Sequence, residues 1–297
     1  MPETYPYPPG EGIVKWVSTG WLEDHLGDKG LTIIDCQPNI HEYIQDHIPG
    51  ARYVHEGIFR LHGEHLPSEW VVPEIGQAII RTLGLEAGSP VVVYSSGGPL
   101  TGCGAFIGDG LEQTMVTYSL IRYGLRNVCL LDGGFEKWRD EGRPLTRVFP
   151  QPVKPSVFMA ELKMEFFAGY KQVLAIKDRS DAVLLDARPP AFYEGQGPWI
   201  KAGHIPGAVS LPWKTLMDDK NKKLLRAEAE IKKMVVEKGV TPDKTVICSC
   251  GTGREATNEF ILFKYFLGYP KVLLYEGGFT EWTSYPENPV VTGKNPR

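Results

Sequence analysis

Apolar residues cluster along the chain in short unbroken runs, each stopped by glycine, proline or a polar side chain. Leu31–Asp35, Val91–Tyr94 and Val128–Leu131 are of this kind in the first half; Leu184–Asp186, Thr245–Cys248 and Leu274–Tyr275 are their counterparts in the second. Runs of that length without polar alternation predict strands covered on both faces, as in parallel sheets. Between them the spacing changes. Val72–Leu83 sets Ile75, Ile79, Ile80 and Leu83 on one face of a helix. Strands alternating with such segments predict an α/β fold of mostly parallel sheet flanked by helices, with right-handed crossovers.

The pattern occurs twice. Ile33–Cys36, His47–Ala51, Val91–Tyr94 and Leu130–Trp138 recur in the same order as Leu184–Arg188, His204–Ala208, Thr245–Cys248 and Leu274–Trp282. The offset between the copies drifts, which loop insertions at Gly195–Trp199 and at Gly97–Gly102 explain. Self-similarity on this scale predicts two copies of one fold. The seam falls near 147–158, where Pro150, Pro152 and Pro155 stiffen a linker, giving domains 1–148 and 149–297. Gly133-Gly134 and Gly277-Gly278 read as turns, and Trp138 and Trp282 as core.

Composition narrows the function classes. The 297 residues are 42% apolar and 23% charged, an ordinary globular balance. Lys and Arg total 32 against 36 Asp and Glu, a net charge of −4. No global positive field is available to hold nucleic acid or anionic lipid, so neither is expected as a partner. No run approaches the ~20 apolar residues of a membrane helix, and Met1–Pro6 is neither basic nor apolar enough for a signal peptide. A cytoplasmic location is expected. Five cysteines, an odd number in a long chain, do not suggest a secreted disulfide framework.

One cysteine stands in a reactive context. In Val246–Thr257 a strand ends at Cys250, the Gly-rich turn Gly251-Thr252-Gly253 follows, and a helical pattern begins at Arg254-Glu255. That geometry aims unpaired backbone N–H groups and a helix N-terminus at the sulfur. Such surroundings lower a thiol pKa from ~8.5 to roughly 3.5–7.5 and can hold a persulfide anion. The alternative is a buried structural cysteine, although two glycines and an arginine within four positions are more than such a residue requires.

With both HIPGA segments, Asp186-Ala187-Arg188, the Cys250 loop and two GGF…W segments, the chain resembles the tandem-domain rhodanese family of thiosulfate and 3-mercaptopyruvate sulfurtransferases, over about residues 13–290. The resemblance implies an inactive first domain and a catalytic second one, with Cys250 cycling between thiolate and persulfide. Glycine directly after the cysteine looks more like the mercaptopyruvate pattern than the thiosulfate one. Arg254-Glu255 departs from both, since Val-Thr is common there, and leaves the donor open. In the first copy Ser95 or Ser96 replaces the cysteine, and a serine cannot carry sulfane sulfur. Cys103 lies in an inserted Gly-rich segment and is a weak candidate for reactivity. Similarity to the mercaptopyruvate enzymes would bring His47 and Asp35 toward Thr252 as support. The alternative for His47 and His204 is hydrogen bonding to the backbone of a turn.

An anionic donor beside a thiolate needs a cation, and Arg188 and Arg254 are the substrate-binding candidates. Arg188 could instead pair with Asp186 or Glu194, and Arg254 could face solvent. Asp186 reads as structural. Cys248 suits simple burial; a strained disulfide with Cys250 or a resolving role are the alternatives. A lone CxC without a nearby histidine does not make a metal site, and no cofactor is expected. The expected partners are a small anionic sulfur donor and a thiol or protein-thiol acceptor. A non-catalytic sulfur carrier or interaction module is the second reading. A phosphatase or arsenate reductase is the third, but those use Cys-x5-Arg, whereas here arginine stands at Cys+4 and Ala256 at Cys+6.

Overall fold

The structure, a computed structural model, describes residues 12–96 and 108–297. The Gly97–Gly102 insertion and Cys103 lie outside the described residues. The chain separates into two compact units. Unit 1 gathers the chain up to Arg60, Trp70–Lys163 and Lys220–Leu225; unit 2 gathers Leu61–Glu69, Met164–Asp219 and Arg226–Arg297.

Unit 1 runs β1 (Val14–Val17), α1 (Thr19–Asp24), β2 (Thr32–Asp35), α2 (Ile40–Gln45), β3 (Arg52–Tyr53), α3 (Pro73–Thr82), β6 (Val91–Tyr94), α4 (Leu111–Arg122), β7 (Val128–Leu131) and α5 (Gly134–Asp140), while β4 (Arg60–Leu61) and β5 (Glu69–Trp70) each have one residue in unit 1 and one in unit 2. Its parallel sheet has the order β1-β7-β6-β2-β3, and β4 and β5 form a separate two-stranded ribbon. Every residue of β2, β6 and β7 is buried, as expected of strands with both faces covered. The helix predicted over Val72–Leu83 forms as α3 with Pro73 in its first turn, where the missing N–H is no loss. Its buried face differs from the expected one. Gly76 and Ile80 point inward while Ile75 is exposed, because the Tyr123 ring lies where a side chain at 76 would stand, 2.8 Å from the Cβ position.

Unit 2 repeats the plan with β8 (Phe167–Ala168), α6 (Tyr170–Ile176), β9 (Ala182–Asp186), β10 (Val209–Ser210), α7 (Glu228–Glu237), β11 (Thr245–Ser249), α8 (Arg254–Ile261), β12 (Val272–Tyr275) and α9 (Gly278–Ser284). Its parallel sheet is ordered β8-β12-β11-β9-β10, the same sequence of strands as in unit 1. The cores correspond as well. Trp138 packs with Val17, Ile33 and Phe135; Trp282 packs with Ala168, Leu184 and Phe279. Each indole N–H donates to a proline carbonyl at 2.8 Å, Pro144 in one unit and Pro289 in the other. An interior Trp of this kind costs ~3–5 kcal/mol when truncated to Ala, so the GGF…W segments are core determinants. No described helix is long and apolar enough to cross a membrane.

Lys220–Leu225 joins unit 1 through named contacts. The Lys223 carbonyl accepts from Gly133 N–H at 3.0 Å, and Leu225 N–H donates to Asp132 Oδ1 at 2.9 Å. The Lys223 side chain is buried, with Nζ 3.2 Å from Glu136 Oε1.

Candidate active site

The end of the central strand β11 builds the site. Ser249 is in register with Asp186 of β9, so Cys250 and Arg188 begin neighbouring loops at the carboxyl ends of two adjacent strands, where open α/β sheets bind ligands. The Cys250 carbonyl accepts from Phe279 N–H at 2.7 Å and the Gly251 carbonyl from Thr280 N–H at 3.0 Å, which pins the loop to the start of α9. Gly278 allows this approach: at φ +56° a Cβ there would fall 2.6 Å from the Cys250 carbonyl oxygen. Gly253, at φ +86°, turns the chain into α8 in a conformation that favours glycine.

The sulfur is cradled as the strand-loop-helix pattern predicts. Backbone N–H groups of Thr252 and Ala256 donate to it, while the thiol donates to the Glu255 carboxylate. Its ionisation differs from the expectation. Cys250 is fully buried, and burial followed by the Glu255 charge pushes the thiol well above its ordinary value, against the downward pull of the two amides.

Phe135 N–H donates to the Ser95 carbonyl at 3.0 Å, as Phe279 does to Cys250. Tyr94 is in register with Asp35 as Ser249 is with Asp186. Ser95, not Ser96, therefore occupies the cysteine's place; the Ser96 hydroxyl donates to Glu42 at 2.8 Å.

Arg188 is fully buried. Its Nε lies 2.9 Å from Asp186 Oδ1, and Nη2 lies 2.6 Å from Asp186 Oδ2 and 2.8 Å from the Gly203 carbonyl. The guanidinium carbon sits 4.1 Å from the Phe279 ring centre and 4.6 Å from that of Trp199. Nη1 has no hydrogen-bond partner among the described residues. Arg188 is thus ion-paired with Asp186, whose carboxylate also accepts from the Arg188 backbone N–H at 3.1 Å. Arg254 and Glu255 are half-buried in the first turn of α8, and Thr252 is half-buried in the loop.

Among the described residues, the side chains of His47 and Asp35 hydrogen-bond to residues of unit 1. The His47 ring nitrogens face the carbonyls of Tyr43 at 2.7 Å and Val148 at 3.2 Å. His204 repeats this with Tyr193 and Asn295. Asp35 accepts from the Gln37 backbone and side chain, both at 2.8 Å, and from Tyr94; burial raises its pKa to about 7. Cys36, Cys129, Cys248 and Cys250 are all buried free thiols, so the Cys248–Cys250 disulfide is not formed.

Two site residues escape sequence reasoning. Trp199 covers Gly251, so closely that a Cβ at 251 would fall 2.5 Å from its Cζ2, and its indole N–H donates to Thr280 at 2.8 Å. The sequence shows the insertion that carries it, at Gly195–Trp199, but not where it packs. Glu259, one turn beyond Glu255 on α8, is fully buried with neither carboxylate oxygen hydrogen-bonded among the described residues.

The rhodanese-like domain model matches residues 18–141 and 170–285. The chain is 35% identical over 291 residues to a Synechococcus elongatus protein provisionally named as a thiosulfate sulfurtransferase, covering 95% of this chain and 87% of that one. It is 28% identical over 288 residues to the 3-mercaptopyruvate sulfurtransferase of Escherichia coli K12, covering 93% and 97%. An anaerobic ergothioneine biosynthesis enzyme from Chlorobium limicola superposes with a TM-score of 0.81 at 22% identity, covering 94% of this chain and 70% of that one, a likeness of fold. Two matched domains, paired sheets of one strand order and full-length relatives named as sulfurtransferases agree: the chain belongs to the rhodanese-like family, in its tandem form.

Proposed function

We propose that the protein is a sulfurtransferase that moves sulfane sulfur from thiosulfate or 3-mercaptopyruvate through a Cys250 persulfide to cyanide or a thiol acceptor. The observation that carries this reading is the pair of amides, Thr252 and Ala256, that donate to the Cys250 sulfur where strand passes into helix. Fixed donors aimed at a sulfur stabilise negative charge on it, or on a second sulfur attached to it, without reorganisation. Ser95 at the matching position makes unit 2 the catalytic one.

In the first half-reaction the Cys250 sulfur, having lost its proton, attacks the transferable sulfur of the donor. A new S–S bond forms, and sulfite or the enolate of pyruvate leaves with the electron pair of the broken bond. In the second, the acceptor attacks the outer sulfur and Cys250 departs as thiolate, held by the same amides. Arg254 in the first turn of α8 and the remaining Nη1 of Arg188 receive the anionic end of the donor.

Intact mass spectrometry after incubation with each donor tests the reading. One added sulfur, about 32 Da, is expected on wild type and absent from Cys250→Ser. No adduct on wild type, or an adduct surviving in Cys250→Ser, overturns it. A second reading is a carrier that hands its persulfide to a partner protein. A 27% identical Thermus thermophilus relative, covering 94% of this chain, is named a sulfur carrier protein. A carrier predicts the same adduct with negligible turnover to cyanide.

A further inference from the structure

The loop Cys250-Gly251-Thr252-Gly253-Arg254-Glu255 places a carboxylate against the nucleophile. The Glu255 side chain accepts from the Cys250 sulfur while the amides of Thr252 and Ala256 donate to that same atom. An acidic residue suits the first turn of any helix, but that role asks for no contact with Cys250. A carboxylate beside a thiol also works against an early thiolate, the opposite of what a nucleophile alone would select.

We propose that Glu255 selects the sulfur donor: it keeps the Cys250 proton inside the site for a leaving group that must be protonated, and it repels a dianionic donor. The proposal rests on the sulfurtransferase reading. With a thiol on the carbon next to a 2-oxo acid, the class of 3-mercaptopyruvate, the balance closes inside the site. The Cys250 proton passes to Glu255 as the S–S bond forms to the donor sulfur. The C–S bond breaks with its electron pair on carbon, and the resulting enolate takes the proton from Glu255 to become the methyl group of pyruvate. The donor's own thiol hydrogen stays on the persulfide. Carbon is reduced, the two sulfurs are oxidised to the persulfide level, and no outside reductant or oxidant enters. Thiosulfate releases sulfite, which needs no proton to leave, so the Cys250 proton gives it no assistance while two negative charges meet the Glu255 carboxylate.

Among the described residues, the other charged and titratable groups around the pair are Arg254 and Glu259 on α8, Cys248 on β11, Asp186 at the end of β9 and Arg188 just after it. Burial raises the pKa of Glu259 and of Cys248 as well, so neither contributes positive charge beside Glu255. Arg188 is matched by Asp186. Arg254 is the cation on the same turn as Glu255.

The test compares full-length wild type with Glu255→Gln, Glu255→Ala and Glu255→Asp, after melting curves identify the folded variants. Two measurements are made: kcat/KM for thiosulfate and for 3-mercaptopyruvate with cyanide as acceptor, and the pH profile of Cys250 alkylation by iodoacetamide, read by intact mass. The ratio of thiosulfate to mercaptopyruvate efficiency is expected to rise at least about tenfold in the Gln and Ala variants and to stay nearer wild type in Asp. The alkylation midpoint is expected to fall by about one pH unit or more when the carboxylate is removed. A ratio that moves less than tenfold or falls, or an unmoved midpoint, overturns the proposal. A wild type that forms no persulfide with either donor sinks the sulfurtransferase reading itself, and the alkylation midpoint then still decides whether Glu255 holds the Cys250 proton.

Discussion

Trp199 packs against Gly251, and the contact leaves no room for a β-carbon at 251: the position it would take is 2.5 Å from Trp199 Cζ2. The indole cannot simply swing away, since its N–H is tied to Thr280 and its ring meets Phe192, Phe279 and the Arg188 guanidinium. The backbone after Cys250 is therefore shaped by an aromatic side chain from a distant insertion.

Gly251→Ala is expected to destabilise the chain by ~1–3 kcal/mol, the usual scale of overpacking, and to slow persulfide formation more than tenfold. Trp199→Ala opens space for the methyl. The double variant should be less destabilised than the two single effects added together, a coupling read from a cycle of urea unfolding experiments. Strict additivity would show that the two residues do not constrain one another.

Removing Arg188 tests a different dependence. Arg188→Ala strands the buried Asp186 carboxylate without its partner, and breaking a buried pair of this kind costs ~3–5 kcal/mol. Asp186→Ala/Arg188→Ala together should cost less than Arg188→Ala alone. If Arg188 also receives the donor through Nη1, Arg188→Lys should raise KM for anionic donors while leaving iodoacetamide alkylation of Cys250 unchanged.

Glu259 makes stability depend on pH. Its folded-state value lies well above the 4.5 of a solvated glutamate because burial penalises the charge, with Asp186 and Glu255 adding to it. Its contribution is therefore complete below about pH 4.5 and declines as pH rises toward the folded value, by ~1.4 kcal/mol per pH unit over that interval. Glu259→Gln has no such proton to lose. Relative to wild type it should gain stability between pH 5 and pH 8, measured as urea midpoints at several pH values. A constant difference across that range would refute this.

Much of the architecture is legible in the residues. The doubled landmarks Asp35/Asp186, His47/His204 and Trp138/Trp282 carry the duplication because each is a buried point on which one unit is organised. The cysteine loop is legible because glycine at 253 and a strand ending at 249 leave few backbone paths. What escapes depends on side chains meeting across sequence distance. Ile75 loses the inward face of α3 to Gly76 because Tyr123 fills that space, which periodicity cannot register. The serine register at 95 needs the Phe135 hydrogen bond. The thiol's resistance to ionisation comes from full burial and from Glu255, whereas the loop pattern speaks only for the amides. The exchange of Leu61–Glu69 and Lys220–Leu225 between the units leaves no mark in composition at all.

That exchange bears on any attempt to produce the carboxyl-terminal half by itself. A gene cut at the proline-rich seam would leave Lys223 without Glu136, and Leu225 without Asp132. The truncated product would begin life with a lysine built for a dry berth now stranded in water, so shortening this protein means grafting that stretch, not merely choosing a breakpoint.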